Sequence, residues 1–296
     1  MGIISRLKDI VELPTVPEVL VSVQRTVHSA EGGASQLASV VGRDPALAAK
    51  ILKIANSAYF GAAGRRISNI TTAITRIGFR EVGHIAMAVS VVRQFGRHGG
   101  TLEPRQFWIH SLAGAGLAEK VAAHCSGMIE PHEREQLFLA GLLHDAGILV
   151  YDQFFNNELR TVLDYAARCE VSFLAAEAVV CSLEPHPLVG GGLLELWKLD
   201  PLIVSGVRFH HDPSRAPQLH RRFCSIIAVV EYLLCNCSMG SFEGMMPHPI
   251  PGVLEGCDLC PEQLPALYRD ALEAMEQAQE ILLDAPLSAG GSLRLV

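Results

Sequence analysis

The sequence predicts an all-α protein with two helical lobes, on the evidence of three patterns. Apolar residues recur at helical spacing along most of the chain, as at Val19, Leu20, Val23 and Val27. The chain shows no sustained alternation of apolar and polar residues and none of the Asn-Gly or Asp-Gly pairs that favour hairpins. Connections between successive helical segments are short, which is typical of helices packed against their chain neighbours.

Composition and charge narrow the class of protein. The chain has 296 residues, of which 49% are hydrophobic and 19% charged, so it can bury a large core. Its net charge of −7 argues against nucleic-acid binding, which draws on clustered Lys and Arg. Uninterrupted apolar runs stay below the about 18 residues of a membrane span, and the N-terminus lacks the apolar core of a signal peptide. We therefore expect a cytoplasmic protein without membrane contact.

The eight cysteines are scattered through apolar helical segments, which predicts reduced thiols. Cys257 and Cys260 form a C-x-x-C pair, but without a second pair this spacing is weak evidence for a zinc or redox site. Replacement of Cys257 by serine is therefore expected neither to destabilise the fold nor to remove bound metal, whereas replacement of His144 by alanine is expected to do one or the other.

The first lobe contains a rapid succession of predicted helices. One apolar stripe begins after Pro17, and a short second helix ends at Gly42. Asp44 and Pro45 then provide an N-cap and a first-turn proline for a third helix. Gly78 is predicted to separate the next two helices.

Several motifs of this half occur in a specific order: a leucine-proline start, an Asp-Pro helix, an Asn-Ser-x-x-Phe-Gly segment and a helix pair divided by glycine. The residues that carry them are Leu13, Pro14, Asp44, Pro45, Asn56, Ser57, Phe60, Gly61, Ala73, Ile77 and Gly78. This arrangement resembles the HDOD family of bacterial signalling proteins. The resemblance implies a non-catalytic module that acts through protein–protein contacts, with partners such as receiver or nucleotide-cyclase domains. Neither kind of domain is visible in the chain.

The same motif residues also have a structural interpretation. Asn56 and Ser57 follow an apolar helical run and are predicted to satisfy its C-terminus, while Gly61 permits a backbone turn. The alternative, that a groove around these residues receives a partner helix or peptide, stays open.

A boundary falls at residues 97–104, where glycine, proline and polar residues cluster. Beyond it, the almost wholly apolar segment 137–154 is predicted to be one buried helix, interrupted by His144 and Asp145. A further single helix is predicted through residues 165–180. Asp200 and Pro201 mark the start of the next helix.

The second lobe carries polar residues that each interrupt an apolar helix or its end. They are His110, His144, Asp145, His186, His210, His211 and Glu231. Burial of an unsatisfied polar group costs several kcal/mol, so these side chains are expected to converge on a common place. Imidazoles and carboxylates suit iron, manganese, zinc or nickel, and the number of ligands fits one or two divalent ions. For each residue taken alone, ordinary hydrogen bonding within the core is the competing interpretation.

The seven residues also resemble the ligands of the HD superfamily of metal-dependent phosphohydrolases, and of its HD-GYP branch. By this resemblance His110 is the first histidine, His144 and Asp145 are the His-Asp pair, and the last aspartate is replaced by Glu231. The additional histidines correspond to His186, His210 and His211. If the protein is an enzyme, the resemblance makes Asp145 its catalytic residue.

Two departures from that branch argue against phosphodiester cleavage. Ile148 stands where the branch commonly has a lysine, and residues 211–217 contain no Gly-Tyr-Pro signature. Three functions therefore stay open: a non-catalytic signalling module, a metal-dependent phosphohydrolase, and nucleotide sensing without turnover.

The C-terminal part departs from both resemblances. It begins near Phe242 with a proline-rich stretch, continues into a helix whose apolar side is predicted to contain Leu267, Leu272, Met275 and Ile281, and ends in a tail expected to be mobile. It is interpreted as a docking helix or a connector. The predicted division is residues 1–98, 99–240 and 241–296.

Overall fold

The computed structural model describes residues 17–29, 32–56, 66–94, 100–126, 129–182, 184–242, 245, 247 and 252–284. These residues form helices and no strand, which confirms the predicted all-α class. They divide into two compact units, one holding the described residues between 17 and 94 and between 279 and 284, the other those between 100 and 278. The functional division at residues 98 and 240 stays a prediction. Predictions for Leu13, Pro14, Ser57, Phe60, Gly61 and the tail lie outside the described residues.

Among the described residues, five helices lie wholly in the first unit: α1 (Glu18–His28), α2 (Ala34–Gly42), α3 (Pro45–Ala55), α4 (Ile70–Ile77) and α5 (Phe79–Gln94). The Asp44 carboxylate accepts a hydrogen bond from the Leu47 amide at 3.0 Å, as expected for an N-cap. Gly78 lies between α4 and α5 with a φ of 104°, a backbone conformation that residues with a Cβ atom rarely adopt. The predicted helix break is confirmed.

Asn56 has the structural role that was predicted for it. Its side-chain amide donates to the carbonyl oxygens of Leu52 and Ile67, at 2.6 and 2.8 Å, and its side-chain oxygen accepts from the Ile67 amide. One side chain thus satisfies the end of α3 and binds the chain 11 residues later.

Eight helices of the described chain lie wholly in the second unit. They are α6 (Pro104–His124), α7 (Pro131–Leu143), α8 (Ala146–Phe154), α9 (Asn156–Cys169), α10 (Phe173–Val180), α11 (His186–Leu196), α12 (Pro201–Phe209) and α13 (Arg221–Asn236). A further helix, α14 (Leu264–Asp284), belongs to the second unit up to Ala278 and to the first unit from Gln279 onward. None of the described helices is long and apolar enough to cross a membrane.

Two predictions about helix boundaries are wrong. Residues 137–154 are two helices, because His144 and Asp145 form a turn between α7 and α8. Residues 165–180 also contain a break, because Glu170 adopts a left-handed conformation with φ of 52° and the Ser172 hydroxyl caps α10. At the second break, local capping outweighs apolar periodicity.

The buried side of α14 agrees with the prediction in part. The buried residues are Leu267, Ala271, Ala274, Ala278 and Leu282, whereas Leu272 is 49% exposed. The prediction is therefore confirmed for Leu267 and wrong for Leu272, while Met275 and Ile281 are half-buried. Alanines spaced three or four residues apart form most of the buried stripe.

Glycines permit two close helix crossings in the second unit. A Cβ atom on Gly141 of α7 would lie 2.5 Å from the carbonyl oxygen of Gly114 in α6. A Cβ atom on Gly147 of α8 would lie 2.0 Å from the carbonyl oxygen of His186, at the start of α11. Both distances are too short for any side chain, so the backbones touch at these points. The crossings place His110 near His144 and Asp145 near His186.

Candidate metal centre

The structure brings all seven predicted polar residues together in the interior of the second unit. The ligand atoms of His110, His144, Asp145 and Glu231 lie within 4.8 Å of one another, and those of His186, His210 and His211 meet the same limit. Each of the seven residues is at most 7% exposed. These buried clusters could hold a metal ion.

The orientation of three imidazoles, those of His110, His144 and His210, is set by a hydrogen bond from the outer ring nitrogen. The Nδ1 atoms of His110, His144 and His210 lie 2.6, 2.7 and 2.7 Å from the carbonyl oxygens of Met239, Gly141 and Val207. A carbonyl oxygen can only accept, so each Nδ1 carries the hydrogen and donates it. In a neutral ring the Nε2 atom then presents a lone pair to the centre of the cluster.

These lone pairs face one another. The Nε2 atoms of His110 and His144 are 2.8 Å apart, and Oε2 of Glu231 lies 3.3 Å from each of them. Two neutral nitrogens with inward lone pairs repel at this distance unless a proton or a cation lies between them. The arrangement is therefore complementary to positive charge.

Asp145 lies between the two groups of ligands. Its Oδ2 atom is 3.5 Å from Nε2 of His110 and 3.7 Å from Nε2 of His144. Its Oδ1 atom is 3.4 Å from Nε2 of His186 and 3.6 Å from Nε2 of His210. One carboxylate thus offers an oxygen to each group, which is the arrangement of a carboxylate that bridges two ions.

Glu177 of α10 was not predicted and holds His186 in place. Its carboxylate accepts from the His186 amide at 2.8 Å and from Nδ1 of the same residue at 2.7 Å. His186 Nε2 consequently points inward, 3.3 Å from Nε2 of His211. Glu177 is 2% exposed. It interrupts an apolar helix in the same way as Glu231, so the pattern that identified Glu231 could also have identified it.

The chain segment that follows α13 contributes two further contacts that sequence reasoning missed. The Met239 carbonyl oxygen accepts from His110, and the Ser241 hydroxyl donates to Oδ2 of Asp145. Ser241 is fully buried. A serine in a polar, irregular segment gives no sequence signal for a hydrogen bond to Asp145, because only the tertiary fold brings this segment next to Asp145.

Burial and neighbouring charges shift the pKa values of the cluster in opposite directions. Burial alone would lower the pKa values of His144 and His186, but the adjacent carboxylates raise them to about 9 and about 10. Burial, reinforced by charge on His144, lowers the pKa of His210 to about 3. Burial would raise the pKa values of Asp145 and Glu231, but the surrounding imidazoles hold both well below their usual range.

The donor set fits a divalent cation. Among the described residues, Asp145 Oδ1, His210 Nε2 and Glu231 Oε2 are buried without a hydrogen-bond partner of adequate geometry. Unsatisfied buried polar atoms are rare in folded proteins, and here they all face the same interior space. A cation would satisfy them and would replace the protons on His144 and His186.

Comparison with known proteins identifies the family of this chain. Residues 13–213 match the sequence profile of the HDOD domain, which is more than half of the chain.

The chain belongs to the HDOD family.

Solved structures share the fold of this HDOD protein. An HDOD domain protein of unknown function from Geobacter sulfurreducens has 25% identity and a TM-score of 0.80, with 95% of this chain and 97% of that chain covered. A candidate signal transduction protein from Marinobacter aquaeolei has 21% identity and a TM-score of 0.74, covering 97% and 61%. A candidate phosphohydrolase from Shewanella amazonensis has 18% identity and a TM-score of 0.72, covering 95% and 97%.

A relative known from its sequence is longer than this chain. It is an uncharacterized protein of Treponema pallidum, 23% identical over 241 residues. The match covers 80% of this chain but 44% of the relative, so the chain spans less than half of that protein's length.

The contacts of Cys257 and Cys260 differ from those that their C-x-x-C spacing suggests. All eight are free thiols, and Cys257 is hydrogen-bonded to Cys125. That hydrogen bond lowers the pKa of Cys125, against the opposing effect of burial. Cys260 is exposed and donates instead to Gln263 at 3.2 Å. The C-x-x-C spacing therefore does not describe the contact that Cys257 makes.

Proposed function

We propose that this HDOD protein is a regulatory module that holds one or two divalent metal ions and acts through contacts with other signalling proteins. The observation that supports the metal is the set of inward imidazole lone pairs around Asp145. The family, together with the name of the Marinobacter protein of the same fold, supports the signalling role. Receiver or nucleotide-cyclase domains are the partners that we expect.

The residues divide into two ligand groups in this proposal. His110, His144 and Glu231 serve one ion, and His186, His210 and His211 serve the other, with one oxygen of Asp145 facing each group. Imidazole and carboxylate ligands suit iron, manganese, zinc or nickel. When bound, such an ion supplies Lewis-acid chemistry to a phosphoryl oxygen.

We propose that the protein does not turn over a phosphodiester, because the residues around the metal ligands lack groups that would position one. Ile148 is fully buried one helical turn after Asp145, at the position where the hydrolase branch commonly has a lysine. An isoleucine side chain cannot donate a hydrogen bond to a phosphate. Ligands without positioning groups leave a phosphodiester poorly oriented, and orientation accounts for much of a catalysed rate.

A metal-dependent phosphohydrolase is the second candidate function. One observation favours it: a cavity of about 1010 Å³ is lined by His211 and opens towards solvent. A small substrate could therefore approach one of the two ligand groups. Asp145 would be the catalytic residue in this case.

Metal analysis of the purified full chain tests the main proposal. We expect one to two equivalents of a transition metal per chain in the wild type and only a small fraction of that metal content in His144→Ala. Metal-free protein that also fails to take up iron, manganese, zinc or nickel would contradict the proposal.

A hydrolysis assay separates the two candidates. The metal-loaded chain is incubated with a cyclic dinucleotide and with a generic phosphodiester. We expect no multiple turnover. Turnover that Asp145→Ala abolishes would instead establish the enzyme.

A further inference from the structure

The cavity beside His211 has a boundary built from separate parts of the second unit. It lies between α10, the two 3-10 turns at Pro213–Arg215 and Gln218–His220, the start of α13, and the segment at residues 252–256. Its volume of about 1010 Å³ is that of a pocket for a small organic molecule.

The charge of the cavity is opposite to that of the whole protein. Arg215, Arg221 and Arg222 all line it, whereas Asp212 is the one carboxylate in its described lining. The chain carries a net charge of −7, so three arginines at one pocket are a local exception. Concentrated positive charge favours an anionic ligand.

Two of the three guanidinium groups, those of Arg215 and Arg221, are exposed and available to such a ligand. Among the described residues, neither Arg215 nor Arg221 forms an ion pair, and Arg221 is oriented by a bond from Nε to the Ala216 carbonyl oxygen at 3.2 Å. Arg222 is already engaged by the protein, through an ion pair with Asp258 at 3.2 Å and a hydrogen bond with Cys125, and its Nε and Nη2 atoms are buried. Guanidinium groups bind phosphate through paired N–H donors.

The remaining lining is suited to an organic moiety. Leu174, Pro185 and Val253 contribute apolar surface, and the Ser214 and Ser225 side chains add hydroxyl groups. A free inorganic anion would not use the apolar part. The lining as a whole thus matches a molecule with a phosphate at one end and an apolar or planar body.

The cavity reaches one ligand group of the candidate metal centre. His211 lines the cavity, and its Nε2 lies 3.3 Å from Nε2 of His186. Pro185, which precedes His186 in the chain, also lines the cavity. A molecule bound here therefore lies next to His186, His210 and His211 rather than next to Glu231.

We propose that this cavity binds a phosphorylated organic molecule of nucleotide size, with its phosphate on Arg215 and Arg221 and its body on Leu174, Pro185 and Val253. The position next to the metal ligands rests on the proposed function, whereas anion binding by the arginines does not. In a regulatory module this molecule is the signal that the protein senses.

Calorimetric titration of the metal-loaded full chain tests the proposal. The probes are a nucleoside 5′-monophosphate, the corresponding nucleoside and inorganic phosphate. We expect saturable binding of the nucleotide and at least tenfold weaker binding of the other two. Equal binding of inorganic phosphate, equal binding of the nucleoside, or no saturable binding of the nucleotide would each overturn the proposal.

A pair of variants locates the binding. The double variant Arg215→Ala, Arg221→Ala should weaken nucleotide binding at least tenfold, whereas Arg168→Ala, an exposed arginine of α9 outside the cavity lining, should leave it unchanged. Equal affinities in the two variants would overturn the location.

Metal content, measured on the same samples, keeps the two proposals separate. We expect the double variant to retain the metal of the wild type. A protein that contains metal but binds no nucleotide overturns only the cavity proposal. Nucleotide binding by a protein that takes up no metal supports the arginine site and contradicts the metal centre.

Discussion

At the scale of single residues, the centre depends on which nitrogen of each histidine carries the hydrogen. Backbone carbonyl oxygens fix this choice for His110, His144 and His210, and a carboxylate fixes it for His186. Replacement of a hydrogen-bond partner of a metal-binding histidine commonly lowers metal affinity by about 10- to 100-fold. Glu177 is therefore a positioning residue for His186.

Glu177→Gln should reduce metal affinity at the group formed by His186, His210 and His211. Glutamine has almost the same shape, but its amide donates where the carboxylate accepts, which favours the His186 tautomer with hydrogen on Nε2. We expect an affinity loss of about 10- to 100-fold for one of the bound equivalents. Competition titration with a chelator measures it. Glu195→Gln, which removes the partner of Arg208 at the surface, is the matched control and should have wild-type affinity.

The pH dependence of the metal-free protein follows from the shifted pKa values. His144 and His186 are raised from 6.5 to about 9 and about 10, so the stability they contribute is fully present below pH 6.5 and is lost as the pH rises through 9 to 10. His210 is lowered to about 3, so its contribution is present above pH 6.5 and is lost as the pH falls towards 3. The cluster should therefore give its greatest stability near pH 6.5.

Urea unfolding of the chelator-treated protein at a series of pH values measures this dependence. His186→Gln removes one of the two raised groups and should make the decline above pH 6.5 shallower. Stability of the metal-free protein that rises steadily from pH 6.5 to pH 9 would contradict the assignment of the protons.

At the scale of helices, two glycine crossings determine where the ligands meet. Gly114 and Gly141 let α6 and α7 touch, and Gly147 lets α8 touch the start of α11. Helices with ordinary side chains at the crossing are about 8–10 Å apart, which would separate His110 from His144 and Asp145 from His186. The glycines are thus part of the centre although they offer no ligand.

Gly147→Ala should destabilise the protein and release metal. The new Cβ atom would lie 2.0 Å from the carbonyl oxygen of His186, a backbone atom that cannot move without moving the ligand. Overpacking of this kind costs about 1–3 kcal/mol. Gly116→Ala, where nothing lies within 4 Å of the added atom, should be neutral or stabilising because alanine favours the helix. Thermal melting and metal analysis of both variants test the contrast.

At the scale of the whole molecule, metal binding should act as a source of stability. An ion that binds only the folded chain raises the free energy of unfolding by about 2.7 kcal/mol when its concentration is one hundred times its dissociation constant. The melting temperature of the wild type should therefore rise with added metal and fall with chelator.

His144→Ala should lose this metal-dependent increment, whereas Cys257→Ser should keep it. The baseline stability of Cys257→Ser is now expected to fall, unlike the expectation from the sequence, because Cys257 is buried and hydrogen-bonded to Cys125. No metal ligand is removed by this replacement. Melting of both variants with and without chelator measures the increment. An equal chelator effect in the two variants would refute the ranking.

The sequence by itself determined the features that depend on chain neighbours. Helical periodicity and the capping residues Asp44, Asp200 and Gly78 predicted the all-α class and several helix ends correctly, because caps and apolar stripes act within one or two turns. The seven polar residues were also visible, since each one interrupts an apolar segment of its own helix.

Only the tertiary structure decided which of these residues meet and through which atoms. Glu177 and Ser241 join the centre, Cys257 contacts Cys125 rather than Cys260, and Leu174, Pro185 and Val253 share one cavity with His211. Such contacts link positions distant in the chain, and helix crossings set them by steric fit. The sequence pattern identifies the polar residues that need a partner when they are buried, whereas the packing of the helices determines which partner each residue has.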